Sequence, residues 1–494
     1  MTLLDWLIVA AYMAGTLVVG WYYAGRNKTA DDYLLGGRNM NPRAVGLSLF
    51  AALSSTLSFL GVPGETIAYG PMLLCRFVVY PLVFWVAGWV LIPAIMQLRV
   101  TTAYEILELR LGLSVRLVGA LFFLTLRISW MAVMVHATTT EVLLPLVGLD
   151  THWSPWICAL LGLVTLIYTT EGGLRAVVAT EVVQSFVLFG GALLTMAVVW
   201  TQLGSASSWW PTEWPAHWPT PNWSRPFEGR MTFWGAAIGS FAWWICTLGS
   251  DQMAVQRYLA TPSVKAARSV LATSLLVDMV VGLFLAALGL ALLAYFAANP
   301  HLIPAGKTVA TSADRLFPLF ITSILPAGIV GLVIAGLMAT AMDSLSAGMN
   351  SASSVVCVDF LDRFGHGRMK GPAAVRWAKG ASLVIGALVV GVSSSMSYVE
   401  GNIIEVSYRV ISLFIAPLFL LFFMALFVPW ATSFGALTGA ACGSAVAIGI
   451  AYGRWFELSF MWIMPAAFVV GLAVAVLASL LPTNRRNLPQ TPDL

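Results

Sequence analysis

Two stretches of this sequence set oxygen-bearing side chains at spacings that suit a hard cation. The first runs from Ser48 to Glu65 and carries the hydroxyls of Ser48, Ser54, Ser55, Thr56 and Ser58 just ahead of Gly61, Pro63 and Gly64. Those helix breakers predict an unwound segment, and carbonyls freed where a helix breaks in an apolar medium can coordinate a cation. A Pro-kinked helix whose hydroxyls pack against neighbours is the equal alternative. The second stretch, Gly336 to Asn350, holds Thr340, Asp343 and Ser344 at i, i+3 and i+4, which puts them on one helical face. A carboxylate between two hydroxyls suits sodium, with the remaining oxygens left to the first stretch. An aspartate tied to a structural arginine, or carrying a proton, is the rival reading.

Charged groups inside apolar runs form a third set: Arg76, Arg127, Glu181, Asp278, Asp343, Glu405 and Arg409. An arginine stays charged, so each needs a carboxylate, carbonyls or an anionic ligand. Arg127 and Trp130 are three apart and offer a planar carboxylate both a guanidinium and a ring; a purely structural role for Arg127 stays equally open. Glu405 and Arg409 are four apart, and mutual pairing is the favoured reading there.

The elements that must position these groups are helices in lipid. The 494 residues are 59% hydrophobic and 10% charged, against about 25% charged in ordinary soluble domains. A helix of about 20 apolar residues crosses a bilayer, and hydropathy predicts thirteen spans, near 4–24, 43–69, 72–98, 115–147, 154–169, 174–201, 231–249, 264–297, 324–360, 374–396, 403–428, 431–453 and 458–481. Positive charge stays on the cytoplasmic side. With the amino terminus outside, eighteen of the 26 basic residues fall inside, Arg257 and Arg116 among them, and five outside. The chain reads as one transmembrane domain, 1–494, with a Trp- and Pro-rich outside loop at 202–230. Its first apolar run lacks a basic leader and is expected to be a retained span. Cys75, Cys158, Cys246, Cys357 and Cys442 stand singly and read as small buried hydrophobes. A net charge of +4, dispersed along the chain, gives no reason to expect a nucleic-acid partner. His136 is alone in its span, and no spacing of His, Cys or carboxylates suits a metal hydrolase, which argues against an enzyme.

The stretches Lys28-Thr-Ala-Asp-Asp-Tyr33, Thr102 to Leu111, Tyr168 to Gln184, Ser250 to Tyr258 and Gly336 to Asn350 resemble, in order, the sodium:solute symporter family. That resemblance implies an all-α polytopic membrane protein with the inverted-repeat fold of the bacterial leucine transporter, core repeats at about 43–201 and 231–428, a broken first core helix and peripheral helices at 431–481. It implies a main sodium site made by the carbonyls of Ala51 and Ser54 with Thr340, Asp343 and Ser344. Asp343-Ser344 stands where most members carry two hydroxyls; an Asp-Ser pair is similar to that of the neurotransmitter symporters of the same fold. Where members with two ions use aspartate in a Thr-Asp-x-x-Gln motif, this chain has Thr180-Glu181-Val-Val-Gln184, and Ala347 follows Ser346 where a hydroxyl is usual. Glu181 and Ser346 are thus a candidate second cation site or a proton site. Solute contacts implied by the resemblance are Ser55, Ser58, Arg76, Arg127, Trp130, Tyr408 and Arg409. Tyr408 replaces a sugar-binding glutamine, and the arginine of the sialic acid carriers aligns closer to Trp130 than to Arg127.

The expected activity is sodium-coupled symport of a small carboxylate or sugar-like solute by alternating access, with sodium as coupling ion and no other cofactor. The expected place is the plasma membrane, a bacterial inner membrane, with the carboxyl terminus cytoplasmic and no obligate protein partner. Proton coupling through Asp343 or Glu181 is one alternative; a membrane sensor that binds without transporting is another.

Overall fold

The computed structural model describes residues 1–24, 27, 29–54, 56–204, 208–227, 229–303, 306–365, 371–395, 403–453 and 455–481. Every regular element among them is helical, as expected where lipid offers the backbone no hydrogen bonds. Among the described residues ten helices are long and apolar enough to cross a membrane, and a bent pair makes an eleventh. The expected spans 154–169 and 174–201 run as one helix, Ser154–Leu203, interrupted in backbone geometry at Gly173 (φ 60°, ψ −163°). The expected span 231–249 corresponds to Phe233–Ser250, which is not among the ten. Of the five cysteines, Cys158, Cys246 and Cys357 are buried, whereas Cys75 and Cys442 are only partly so.

The bent pair is Pro42–Leu53 followed by Thr56–Tyr69. Asn41 caps the first helix, its Oδ1 accepting from the amides of Arg43 (2.9 Å) and Ala44 (3.4 Å), with Pro42 at the first helical position. The helix stops at Ser54, which is extended (φ −82°, ψ 153°), and the axes of Pro42–Leu53 and Ser58–Tyr69 differ by 60°. The break therefore precedes the place the sequence suggests. Gly61, Pro63 and Gly64 lie within the continuous helix Thr56–Tyr69. Pro63 and Gly64 pack closely against other helices: a methyl on Gly64 would meet the Asp314 carboxylate, and one on Gly289 would sit 2.8 Å from the Pro63 carbonyl.

A second interruption, not expected from hydropathy, separates Phe233–Ser250 from Gln252–Leu259. Asp251 is extended there and caps the shorter helix through the Met253 amide at 2.9 Å.

At the centre lies Ile329–Val355. In the span that contains it, 89% of the most apolar window is buried within the protein, against 22% for Leu3–Ala24. The buried helix is rich in Gly, Ala and Ser, which lets other backbones approach it closely. A methyl on Gly336 would meet the Leu188 Cα at 3.0 Å, and one on Gly331 the Asp5 backbone at 2.6 Å. Asp5 also anchors the start of this helix, its Oδ1 accepting from the amides of Gly328 (2.8 Å) and Gly331 (2.9 Å), a carboxylate placed where the helix dipole is positive. The Trp-rich segment folds onto the end of Thr56–Tyr69: the Trp218 indole donates to the Ile67 carbonyl at 2.8 Å, and its ring fills the space beside Gly70.

Close glycine packing generates a prediction. Gly289→Val, forced against Pro63, should lower the stability of the detergent-solubilised protein by about 1–3 kcal/mol. Gly380→Val, where a methyl meets nothing within 4 Å, should leave the thermal midpoint nearly unchanged.

Candidate ion and solute site

The joint of the bent pair lies against the buried helix. The Ser344 hydroxyl donates to the Ser54 carbonyl at 3.3 Å. Across the same contact, the Thr56 hydroxyl donates to the Leu337 carbonyl at 3.1 Å, which also accepts from Thr340 at 2.9 Å. Ala51 is buried one turn before the break. Ser54, Thr340 and Ser344 are thus brought together by the two elements the sequence singled out. Among the described residues no group of three or more His, Cys, Asp or Glu converges on a metal site, so a cation here would rely on carbonyls and hydroxyls.

Asp343 looks elsewhere. Neighbours on a helix point about 100° apart, and this residue faces Ser154–Leu203. The Gln184 amide is satisfied with its nitrogen on Asp343 Oδ1 and the Thr180 carbonyl (3.2 Å) and its oxygen accepting from the Tyr12 hydroxyl (2.5 Å). The expected face of three oxygens therefore splits: Thr340 and Ser344 toward the joint, Asp343 toward Gln184.

Glu181 and Ser346 each have another partner. The Arg257 guanidinium donates to Glu181 Oε1 at 2.6 Å, to the Ser48 hydroxyl at 2.9 Å and to the Met253 carbonyl at 2.9 Å, while Ser48 donates to the second Glu181 oxygen. Ser346 bonds back to the Asp343 carbonyl at 3.0 Å. Arg257, counted from sequence as a cytoplasmic loop residue, is completely buried and supplies Glu181 with its countercharge. Arg116, counted likewise, is buried and held by Asp359 (2.7 Å) and Glu108 (2.6 Å).

The expected solute contacts divide. Arg127 donates to Asp251 with both side chains buried, so its guanidinium serves the second helix break instead of an open solute face. Trp130 packs in a small apolar cluster with Met134. Arg409 pairs with Glu405, as its spacing suggested. Tyr408 stacks edge-on against Phe460 (5.6 Å between centroids). Ser55 lies outside the described residues. Ser58 and Arg76 do line a common cavity, together with Ser54, Phe59, Val62, Asp278 and Leu285.

Toward the Trp-rich segment a larger, aromatic vestibule is lined by Tyr69, Trp210, Trp214 and Trp223. Arg230 lies beside it, bound to both Glu65 oxygens (2.5 and 3.0 Å), 3.7 Å from Glu405 and 3.9 Å above the Tyr69 ring. Burial opposes the Arg230 charge, but hydrogen bonds to Glu65 and that carboxylate's proximity outweigh it and hold the guanidinium above the ordinary arginine pKa.

The chain as a whole is similar to known proteins. The sodium/sialic acid symporter SiaT of Proteus mirabilis is 31% identical over 94% of this chain and 93% of its own length. Human sodium-coupled monocarboxylate transporter 1 is 29% identical over 91% of this chain and 73% of its own. The substrate-bound, outward-open structure of a Na+-coupled sialic acid symporter superposes with a TM-score of 0.82 at 26% identity, covering 97% of this chain and 98% of that one. The family pattern of the sodium:solute symporters matches residues 33–443. The chain belongs to the sodium:solute symporter family. It is accordingly a multi-pass membrane protein and a sodium-coupled symporter of a small organic solute.

Sequence reasoning on this symporter missed Asp251 and Arg257. Both lie in the stretch Ser250 to Tyr258 that carried part of the family resemblance, so the signal was present, but a charge at a predicted span end reads as a solvated loop. Arg257 should be the stronger test. Removing it in Arg257→Met leaves the buried Glu181 carboxylate uncompensated, at a cost of about 3–5 kcal/mol; adding Glu181→Gln should recover most of the lost thermal stability.

Proposed function

We propose that the coupling sodium binds at the joint of the bent pair, held by the carbonyls of Ala51 and Ser54 and the hydroxyls of Thr340 and Ser344, with Asp343 supplying negative charge nearby. The observation that carries this is the Ser344 hydroxyl 3.3 Å from the Ser54 carbonyl oxygen. Two oxygens bound at right angles to a hard cation, each at about 2.4 Å, stand about 3.4 Å apart. The joint therefore has the spacing of a ligand pair. The solute occupies the adjoining cavity and carries a carboxylate or sugar-like hydroxyls; Ser58 and Arg76 are its contacts from the original set. Ser54 belongs to both sites, so each ligand favours the conformation that the other also prefers, which is the thermodynamic content of coupling. Opening toward the cytoplasm parts the joint from the buried helix, dissolves the ion's coordination and releases both.

In this reading the bent pair is a single broken span, Ser154–Leu203 crosses twice about Gly173 and Phe233–Ser250 crosses once, which gives thirteen crossings. The amino terminus faces outward and the carboxyl terminus the cytoplasm, in the plasma membrane of a bacterium. The protein is a carrier and not an enzyme. A second cation is not assigned, because the Arg257 guanidinium already neutralises Glu181.

The test is uptake by reconstituted proteoliposomes. Thr340→Ala/Ser344→Ala should raise the half-saturating sodium concentration by about tenfold or more, the loss expected for removing ligands worth over 1.4 kcal/mol; an unchanged sodium dependence sinks the site. The turn of Asp343 toward Gln184 and Tyr12 favours one second reading, proton coupling. It requires that a pH gradient alone drive uptake without sodium and that Asp343→Asn abolish it.

A further inference from the structure

We infer that the solute is a small zwitterion of the 2-amino acid type, with Asp278 as the contact for its ammonium group and Arg76 for its carboxylate. This rests on the placement of the solute in the cavity beside Ser54 and Ser58.

Arg76, at the start of the span Pro71–Met96, and Asp278, within Val264–Ala298, face each other in that cavity. Their nearest charged atoms are 3.9 Å apart, beyond hydrogen-bonding distance. Buried ion pairs that exist only to neutralise each other close to direct contact. Elsewhere in this protein they do so: Arg230 to Glu65 is 2.5 Å and Arg257 to Glu181 is 2.6 Å. The Arg76–Asp278 pair stays open although both side chains are about four-fifths buried, at 18% and 20% exposure. Among the described residues the buried Arg76 Nε has no hydrogen-bond partner, an arrangement that is costly unless a ligand completes it. Asp278 is itself oriented by the Tyr80 hydroxyl, which donates to one of its oxygens.

The cavity itself is small, about 30 Å³, so a solute enters only as its walls part around the Arg76–Asp278 pair. A methyl on Gly282 would stand 2.9 Å from an Arg76 terminal nitrogen and 2.6 Å from the Phe77 ring, so the glycine keeps the guanidinium in place without crowding. The remaining walls, including Phe59, Val62 and Leu285, are apolar and suit an aliphatic side chain. Charge balance selects the zwitterion. An ammonium against Asp278 and a carboxylate against Arg76 leave no charge unpaired, whereas a simple carboxylate would meet Asp278 as a like charge in a medium where that is expensive. Cotransport with one sodium then moves one positive charge per cycle, while a monocarboxylate with one sodium would move none.

The experiment uses the full chain in proteoliposomes with an inward sodium gradient. The probes are alanine, valine and leucine beside their amine-free counterparts propionate, isovalerate and isocaproate. Expected are sodium-dependent uptake and inward current for the amino acids only. Asp278→Asn should raise their KM by roughly tenfold or more, the loss of one charged hydrogen bond, and narrow the discrimination against the amine-free acids, with the half-saturating sodium concentration retained. Gly282→Ala, which crowds Arg76, should weaken amino acid uptake and leave solute-free sodium stabilisation intact; it also serves if Asp278→Asn fails to fold. Uptake of the amine-free acids equal to that of the amino acids, no response to any of the six, or undiminished amino acid affinity in Asp278→Asn overturns the inference. Sodium-dependent thermal stabilisation measured without solute reports on the sodium site alone, so its absence marks failure of the coupling assignment and not of the solute class.

Discussion

A helix interrupted inside a membrane leaves backbone groups without partners, and lipid offers none. Among the described residues, the break at Ser54 is sustained by a side chain from another helix, and the turn at Asp251 by its own carboxylate, which another helix in turn holds. Ser344 answers the Ser54 carbonyl, and the Asp251 carboxylate caps the following amide while taking the Arg127 guanidinium. These borrowed partners are separable contacts, unlike hydrogen bonds within a helix. A transporter needs such contacts, because its ion must bind where the protein can come apart. The expense of a broken helix and the reversibility of transport are then two sides of one arrangement.

The buried helix Ile329–Val355 makes the borrowing possible. Glycine, alanine and serine along it bring neighbouring backbones within reach of short side chains. A serine hydroxyl extends little beyond its own Cα, so Ser344 reaches Ser54 only because the two backbones are close. Asp5 pins the end of this helix to the first one, and Gly331 lets them touch. Larger residues along this stripe would separate the elements and leave the oxygens too far apart to share a cation.

How much of this was legible in the sequence follows from what kind of information each feature carries. Most of the spans were legible because hydropathy is a local property averaged over many residues. The oxygen-rich stretches were legible because hydroxyls are uncommon company for apolar helices, and the ordered family stretches connected them. The position of the break was not, since Pro63 is a breaker in isolation but here packs against Gly289, and only the partner helix reveals that. Arg257 was read as a solvated loop residue because a basic residue at a span end looks so until Glu181, 76 positions away in sequence, appears beside it. Solute contacts were the least legible: Arg127 and Arg76 are equivalent as sequence, and pairing with Asp251 or Asp278 at very different separations distinguishes them.

The same logic bears on how one acidic residue changes a sodium site. Asp343 stands next to Ser344, yet consecutive helical positions diverge by about 100°, so a carboxylate introduced there need not become a ligand. Its Oδ1 is taken up by the Gln184 amide, which in turn accepts from Tyr12. In the proposed site, an ionised Asp343 one residue from the ligands would attract a cation through the low-dielectric interior, while the ligands remain neutral oxygens that release it easily. Glu181 contributes little to that attraction because Arg257 cancels it locally. In that proposed site the field at the joint would come chiefly from an ionised Asp343. Moving the charge from the ligand shell to its neighbour would strengthen ion capture without locking the joint, which is the compromise a carrier has to strike on every cycle.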